Sequence, residues 1–291
     1  MTPAISQPPT TSRPTRRFRS GTVGQALKFC LLLLITLLVN LPIITMILNS
    51  LQSNDALMAS TGIIPKQLTL NNYTNLFGQT DFFVFLRNSI IVSGGSTLAS
   101  IVIGALAGYA LSRFRSPVLN AYATGILLLQ MFPAIMAVIP LFLIFKTLGL
   151  INTYWAAILI YISGQLPFAT WMYRGFFASI PLELEEAAWI DGCSRLQGFL
   201  RIVLRVSTPG IAAVAIFSFL LAWNDFLIAN IFLNQESLMT IPVGLQLFIQ
   251  QYASQWGSLM AASTAAMLPV FLFFLVAQRY MIQGMTAGAV K

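Results

Sequence analysis

Long apolar runs, separated by short polar segments, make up most of this chain. The runs fall at about 27–49, 86–112, 119–145, 154–177, 208–233 and 258–281. Each is long enough to cross a bilayer, because a helix of roughly 20 mainly apolar residues spans about 30 Å of hydrocarbon. Backbone groups inside a membrane must be paired within the protein, so helices are the expected form. The pattern predicts an all-α, polytopic membrane protein with six transmembrane helices.

Composition supports a membrane location for most of the chain. Of the 291 residues, 57% are hydrophobic and only 8% are charged, whereas a soluble globular domain needs about 25% charged residues. Residues 1–26 are instead rich in Pro, Ser, Thr and Arg, which predicts a disordered tail. The transmembrane domain is then expected at 27–283, followed by a short tail at 284–291.

Basic side chains indicate the orientation, because positively charged segments resist export. With the amino terminus inside, only Lys66, Arg87 and Lys146 of the 16 basic residues fall in outer segments. We therefore expect both termini in the cytoplasm. Retention of basic segments on the inner side also explains the net charge of +8, so no nucleic-acid partner is expected.

Composition also excludes several kinds of catalytic and metal site. The chain has no histidine and two cysteines, Cys30 and Cys193, so histidine-based catalysis and zinc sites lack their ligands. No phosphate-binding loop of the form GxxxxGK followed by Ser or Thr is present. We expect no enzymatic activity, no metal and no cofactor in this chain.

Small residues and prolines mark two features of the predicted helices. Gly104 and Gly108 form a GxxxG pair that permits close approach of another helix, either within the chain or from another subunit. Pro133, Pro140 and Pro167 interrupt predicted spans, and each removes a backbone hydrogen bond. Kinked helices are expected there, either for bending alone or for gating.

A charged island interrupts the apolar pattern between residues 181 and 205. Half of the eight acidic residues lie in it, together with three arginines. Such a segment must lie in water, and the predicted orientation places it in the cytoplasm. The acidic residues are Glu183, Glu185, Glu186 and Asp191.

The island is predicted to form two short helices joined by a turn. Pro181 suits a first helical turn, and Gly192 suits a turn with positive φ, so one helix is expected at about 181–190. The next apolar positions recur with helical spacing, which predicts an amphipathic second helix. They are Leu196, Phe199, Leu200, Val203 and Leu204.

The resulting elbow would present Glu186, Ala187 and Ala188 at its exposed tip, where the small alanines let a partner approach. Spacing alone leaves an ordinary amphipathic connector as the alternative. A resemblance to a known family favours the elbow. Glu186-Ala187-Ala188, Gly192, Ile202 and Leu204 closely resemble the EAA loop of binding-protein-dependent ABC transporter permeases, which would here occupy residues 179–206.

Further residues are similar to the carbohydrate-importing branch of that family, and in particular to the maltose-permease type of second permease. They are Asp191, Phe199, Pro209-Gly210, Trp223-Asn224-Asp225 and the terminal run 284–291. Two residues depart from the pattern. Arg205 stands where proline is usual, so the exit angle of the second short helix can differ, and Cys193 stands where alanine is common.

The resemblance implies an ATP-driven importer of the bacterial inner membrane. Its partners would be a second, similar permease, two ATPase subunits that bind ATP and Mg, an extracytoplasmic binding protein, and a carbohydrate delivered by it. Glu186, Ala187, Ala188, Asp191 and Gly192 would contact the ATPases. Thr286 and Gly288 of the tail would reach the ATPase dimer interface, and the outer segment 234–256 would face the binding protein.

Polar residues within the spans are the candidates for the solute pathway. A charged side chain at mid-bilayer costs roughly 2.5–3.5 kcal/mol, so Asp225 must face protein or water. It could line the pathway with Asn224, bind sugar hydroxyls, or hydrogen-bond to a neighbouring helix. Gln130 is a weaker candidate, as are Asn88, Tyr161 and Gln165.

Three other functions are weighed against a sugar importer. An importer of a non-sugar solute such as glycerol phosphate fits the same pattern. An ion-coupled secondary transporter would need a relay of buried ionisable residues, whereas the spans offer chiefly Asp225. A membrane enzyme would need a catalytic constellation, which the residues do not provide.

Overall fold

The computed structural model of the chain describes residues 22–59, 67–251 and 255–289, and within these ranges it contains helices and no strands. The all-α prediction is thereby confirmed. The helices are α1 Thr22–Ser50, α2 Asn54–Ala59, α3 Asn71–Gln79, α4 Phe82–Arg113, α5 Pro117–Gln130, α6 Ala134–Thr147, α7 Tyr154–Ala178, α8 Glu183–Ile190, α9 Arg195–Val206, α10 Thr208–Trp223, α11 Leu227–Phe232, α12 Ile241–Gln251 and α13 Trp256–Ala289. A short 3-10 helix, Glu236–Leu238, precedes α12.

The chain divides into two units, residues 1–45 and residues 46–291. In the first unit the described residues belong to α1, and the large apolar side chains between Leu27 and Val39 are exposed. Such a surface is typical of a helix that lies in hydrocarbon. Residues 1–21, most of the predicted tail, lie outside the described residues.

Not every predicted span is a single helix that is long and apolar enough to cross a membrane. Within the described residues, Gly24–Ser50, Phe82–Arg113 and Trp256–Met281 are long and apolar enough, and two bent helix pairs raise the number of possible spans to five. α7 coincides with the predicted fourth span and has 25 residues, but its mean hydropathy is too low for it to count as a span by itself. The protein is polytopic, and the number six stays a prediction.

The third predicted span is not a single kinked helix. α5 and α6 meet at an angle of 106°, and Met131, Phe132 and Pro133 between them are not helical. Proline lacks an amide hydrogen and disfavours helical geometry in the residue before it, so Pro133 separates the two helices. Pro140 and Pro167, in contrast, lie inside helices.

The two glycines of the GxxxG pair in α4 lie against α7. A Cβ atom at Gly104 would lie 2.7 Å from Ala169 Cβ, and one at Gly108 would lie 2.6 Å from Tyr173 Cβ. The GxxxG pair therefore serves close packing within the chain, which was one of the two alternatives. α4 and α7 form the centre of the larger unit, with α10 packed against both.

The segments 50–85 and 234–256, which the predicted orientation places outside, both contain helices. The segment 50–85 includes α2 and α3, and Asn72 of α3 donates hydrogen bonds to the carbonyls of Ser50 and Gln52. The segment 234–256, predicted as a loop, contains α12, whose residues Ile241 and Val243 are buried. Tertiary contacts stabilise this short helix, as is usual for helices of 11 residues.

Candidate functional site

The charged island folds as an elbow of two helices, α8 and α9, at residues 183–206. α8 begins at Glu183, two residues later than predicted, and Pro181 and Leu182 lie outside the helix. Glu183, Glu185 and Glu186 all lie in that first turn. Carboxylates at this end of a helix interact favourably with its dipole, so the sequence stabilises the start of α8.

The turn of the elbow forms at Gly192, whose φ is +87°. The amide of Gly192 donates to the carbonyl of Trp189 at 3.0 Å, and the amide of Cys193 donates to the carbonyl of Ala188 at 2.9 Å. These two bonds form a Schellman motif, which ends a helix with a residue in the left-handed region. The predicted role of Gly192 as a turn residue is confirmed.

A capping box starts α9. The Ser194 hydroxyl accepts a hydrogen bond from the amide of Gln197, and the Gln197 side chain accepts one from the amide of Ser194. The Ser-x-x-Gln pattern is a sequence signal for a helix start, and it was missed. A π-helical turn at Phe199–Val203 follows within α9.

The apolar stripe predicted for α9 is only partly correct. Phe199 and Val203 are buried in a cluster with Tyr173, Phe177 and other residues, but Leu196 is 61% and Leu200 is 53% exposed. α9 contacts the rest of the chain along one narrow side, so residues on the adjoining side of the helix remain at the surface. The predicted wide stripe is wrong in this respect.

The residues expected to contact the ATPases are not equally accessible. Glu186, Ala187, Asp191 and Gly192 are exposed, as a partner would require. Ala188 is buried, with 7% of its surface exposed. The expectation that both alanines lie at the exposed tip is therefore wrong for Ala188, because a helix that rests on other residues must turn one face toward them.

Glu185 occupies the buried side of α8. Its side chain is fully buried, and its Oε1 atom lies 2.6 Å from Nε of Arg113, at the last residue of α4. Its Oε2 atom accepts a hydrogen bond of 2.6 Å from the Tyr109 hydroxyl. Arg113 also donates to the carbonyl of Ile180 at 3.1 Å. Tyr109, Arg113 and Glu185 are named here the Glu185 cluster.

No local pattern in the sequence indicates the Glu185 cluster. Arg113 and Glu185 are separated by 72 positions, and in the sequence Glu185 is only one of four acidic residues of the charged island. A buried carboxylate nearly always requires a charged or hydrogen-bonded partner. The missing information was which side of α8 is buried.

Asp225 lies between α10 and α11 and hydrogen-bonds to neighbouring groups. Its Oδ2 atom accepts from the Tyr161 hydroxyl of α7 at 2.8 Å. The same atom accepts from the amides of Ile228 and Ala229 at 2.9 and 3.3 Å. This matches the alternative in which Asp225 bonds to a neighbouring helix, and it also stabilises the first turn of α11.

The other pathway candidates differ in their surroundings. Asn224 and Gln130 are exposed, and Asn224 donates to the carbonyl of Leu220. Gln165 is fully buried between α4, α7 and α10, where it accepts from Ser100 and donates to the carbonyl of Ser218. The structure does not bring Gln130 and Asp225 into a hydrogen-bonded site, and a pathway role for Asn224, Asp225 and Gln130 stays a prediction.

The carboxyl-terminal residues expected to contact the ATPases lie at the end of α13. This helix runs to Ala289 and so includes Thr286 and Gly288 in its backbone; the side chains after Met281 lie outside the described part of the chain. Among the residues that are described, no group of three or more His, Cys, Asp or Glu could hold a metal ion.

Comparison with known proteins gives a family. Residues 100–287 match the sequence profile of the family described as binding-protein-dependent transport system inner membrane component. The chain is 36% identical over 266 residues to the inner membrane ABC transporter permease protein YcjP of Escherichia coli (strain K12), covering 90% of this chain and 95% of that protein.

A second relative and a solved structure agree with this match. The trehalose/maltose transport system permease protein MalG of Thermococcus litoralis is 35% identical over 253 residues, covering 86% of this chain and 91% of that protein. A chain in the crystal structure of a bacterial ABC transporter involved in the import of the acidic polysaccharide alginate has the same fold, with a TM-score of 0.76 and 22% identity over 96% of this chain and 99% of that one. This protein belongs to the family of binding-protein-dependent transport system inner membrane components.

Proposed function

We propose that this chain is a permease subunit of an ATP-driven ABC importer and that the elbow at residues 183–206 is its contact with the ATPase subunits. The observation that supports this most strongly is the division of α8 into two sides. Glu186 and Ala187 are exposed, whereas Glu185 and Ala188 are buried. The elbow is thus fixed on one side and accessible to a soluble partner on the other.

The energy for transport comes from partners in this proposal. Members of the family are non-catalytic transport subunits, and the sequence contains no phosphate-binding loop. Two ATPase subunits would bind the elbow of this chain and the corresponding elbow of a second permease. Closure of the ATPases on ATP would displace the elbow and shift the helices between inward-open and outward-open states.

The remaining contacts follow the same arrangement. Both termini and the elbow would lie in the cytoplasm, where Thr286 and Gly288 reach the ATPases. The outer segment 234–256, with α12, would face an extracytoplasmic binding protein. Its exposed residues Asn234, Gln235, Glu236 and Ser237 provide polar groups for such a contact.

A carbohydrate is the proposed solute. The Thermococcus litoralis relative is named for trehalose and maltose transport, and a relative from Mycobacterium tuberculosis, 36% identical over 231 residues, is named for trehalose transport. The solute that co-purifies with the extracytoplasmic binding protein of this transporter, identified by mass spectrometry, tests this proposal. We expect a saccharide, whereas a solute without sugar rings would contradict the proposed class.

Replacement of Glu186 tests the contact with the ATPases. Glu186→Ala removes an exposed carboxylate that would pair with an ATPase, and removal of a central contact residue typically costs about 2 kcal/mol of binding. We expect about 30-fold weaker association of the ATPases with the purified permease pair, measured by titration of labelled ATPase, since each 1.4 kcal/mol is a factor of ten.

Glu183→Ala is the matched control, because Glu183 is also exposed in the first turn of α8 but lies outside the Glu186–Gly192 pattern. It should leave ATPase association nearly unchanged. Equal association for the unmodified chain and Glu186→Ala would contradict the proposed role of Glu186. Failure of the unmodified permease pair to bind any ATPase would contradict the proposed function itself.

A further inference from the structure

We propose that the Glu185 cluster joins the elbow to α4 and that α4 links the ATPase contact to the outer segment 237–241. The proposal rests on the proposed function and assigns positioning roles to Arg113, Tyr109 and Asn88. Two sets of buried contacts, one at each end of α4, support it.

At the inner end, α4 contacts both helices of the elbow. Glu185 of α8 pairs with Arg113 at 2.6 Å and is fully buried. Tyr109, one turn earlier in α4, donates its hydroxyl to Glu185, while its ring lies 4.5 Å from that of Phe199 in α9. α4 is not adjacent to the elbow in sequence, so these contacts add a third connection to the covalent ones through α7 and α10.

At the outer end, α4 holds the segment that precedes α12. Asn88 is fully buried and donates to the carbonyls of Ser237 and Met239 at 3.0 and 2.9 Å. The hydroxyl of Ser89 accepts from the amide of Ile241 at 2.8 Å. Asn88 also accepts a hydrogen bond from the Tyr154 hydroxyl. The outer segment is therefore fixed to the first turns of α4.

α4 can transmit movement between these ends because it is one uninterrupted helix. No proline lies within Phe82–Arg113, and the 25 positions from Asn88 to Arg113 correspond to about 37 Å at 1.5 Å per residue. Close contact of Gly104 and Gly108 with α7 limits bending in its second half. A displacement of the elbow would thus move α4 as a unit and reach the outer segment.

The strength of this link depends on the Glu185 cluster. A buried ion pair whose carboxylate also accepts a tyrosine hydrogen bond has a defined geometry, unlike an exposed pair that water and salt weaken. Removal of one partner leaves the other charge buried without compensation. Replacement of both partners by apolar side chains of similar size restores a packed contact at this position.

The test uses the complete complex of this chain, the second permease and the ATPases in lipid nanodiscs. The rate of ATP hydrolysis is measured with and without the extracytoplasmic binding protein, which is purified with its own bound solute. We expect Arg113→Met and Glu185→Leu each to lower stimulation by the binding protein about fivefold or more, which is typical of lost coupling between sites. Stimulation is taken as the ratio of the two rates per amount of bound ATPase, because Glu185 also positions the elbow, and the double variant should recover part of this stimulation.

Arg115→Met is the matched control, because Arg115 is exposed two residues after Arg113, and it should behave as the unmodified chain. Tyr109→Phe, which removes only the hydroxyl, and Asn88→Leu at the outer end provide variants that do not break the ion pair; each should also lower stimulation. Stimulation equal to that of Arg115→Met in all four single variants would overturn the proposal. So would a double variant no better than its worse parent. Absence of ATPase from the unmodified complex would instead overturn the proposed function.

Discussion

At the scale of single residues, neighbouring positions in this chain have opposite environments. Glu185 is fully buried and Glu186 is exposed, although the sequence offers the same side chain at both positions. The sequence predicted the turn at Gly192, because positive φ has a local residue preference. It could not predict the partner of Glu185, because Arg113 lies far away in the chain and becomes a neighbour only through the packing of α4 on α7.

Replacement of Asp225 tests the contribution of its hydrogen bonds to stability. Asp225→Ala would leave the Tyr161 hydroxyl and the amides of Ile228 and Ala229 without their acceptor. Unpaired buried groups cost about 1–3 kcal/mol, so we expect a lower midpoint of thermal unfolding for the detergent-solubilised protein. Asn224→Ala, at the exposed adjacent position, should change the midpoint little. An unchanged midpoint for Asp225→Ala, with altered solute selectivity, would instead favour a role in the pathway.

At the scale of elements, the apolar runs predicted where helices lie better than how they bend. The runs at 86–112 and 154–177 correspond to α4 and α7, since a long apolar stretch has a strong helical signal. The run at 119–145 divides at Pro133 into α5 and α6 with an angle of 106°. Proline in the sequence indicated a kink there, but the angle depends on contacts between distant residues, which a single sequence does not reveal.

Replacement of Gly108 tests the close packing of α4 on α7. A Cβ atom at this position would lie 2.6 Å from Tyr173 Cβ and 3.0 Å from the backbone of α7, so Gly108→Ala must push α4 and α7 apart. Overpacking of this kind costs about 1–3 kcal/mol, which should appear as a lower unfolding midpoint. Gly94→Ala on the same helix meets no atom within 4 Å and should not lower the midpoint. Equal midpoints for the two variants would contradict the close approach of α4 and α7.

At the scale of the whole molecule, the sequence predicted the class of protein and its family. Composition excluded a soluble domain, and the match of residues 100–287 to a family of inner membrane components agrees with this. The EAA pattern predicted two short helices joined by a turn, which α8 and α9 form. The partners and the solute are molecules other than this chain, so their identity depends on the proposed function. The orientation in the membrane is predicted from the distribution of basic residues. The proposed function depends above all on the elbow being the cytoplasmic contact for the ATPases.

Photo-crosslinking in intact cells shows which partner the elbow contacts. A photoreactive amino acid is placed at Ile190, which is 87% exposed at the end of α8, and at Leu68, which is 69% exposed in the predicted outer segment, as the control. We predict a crosslinked product between Ile190 and an ATPase subunit, and none between Leu68 and that subunit. A product between Ile190 and the extracytoplasmic binding protein, with no ATPase product, would show that the elbow is not the ATPase contact.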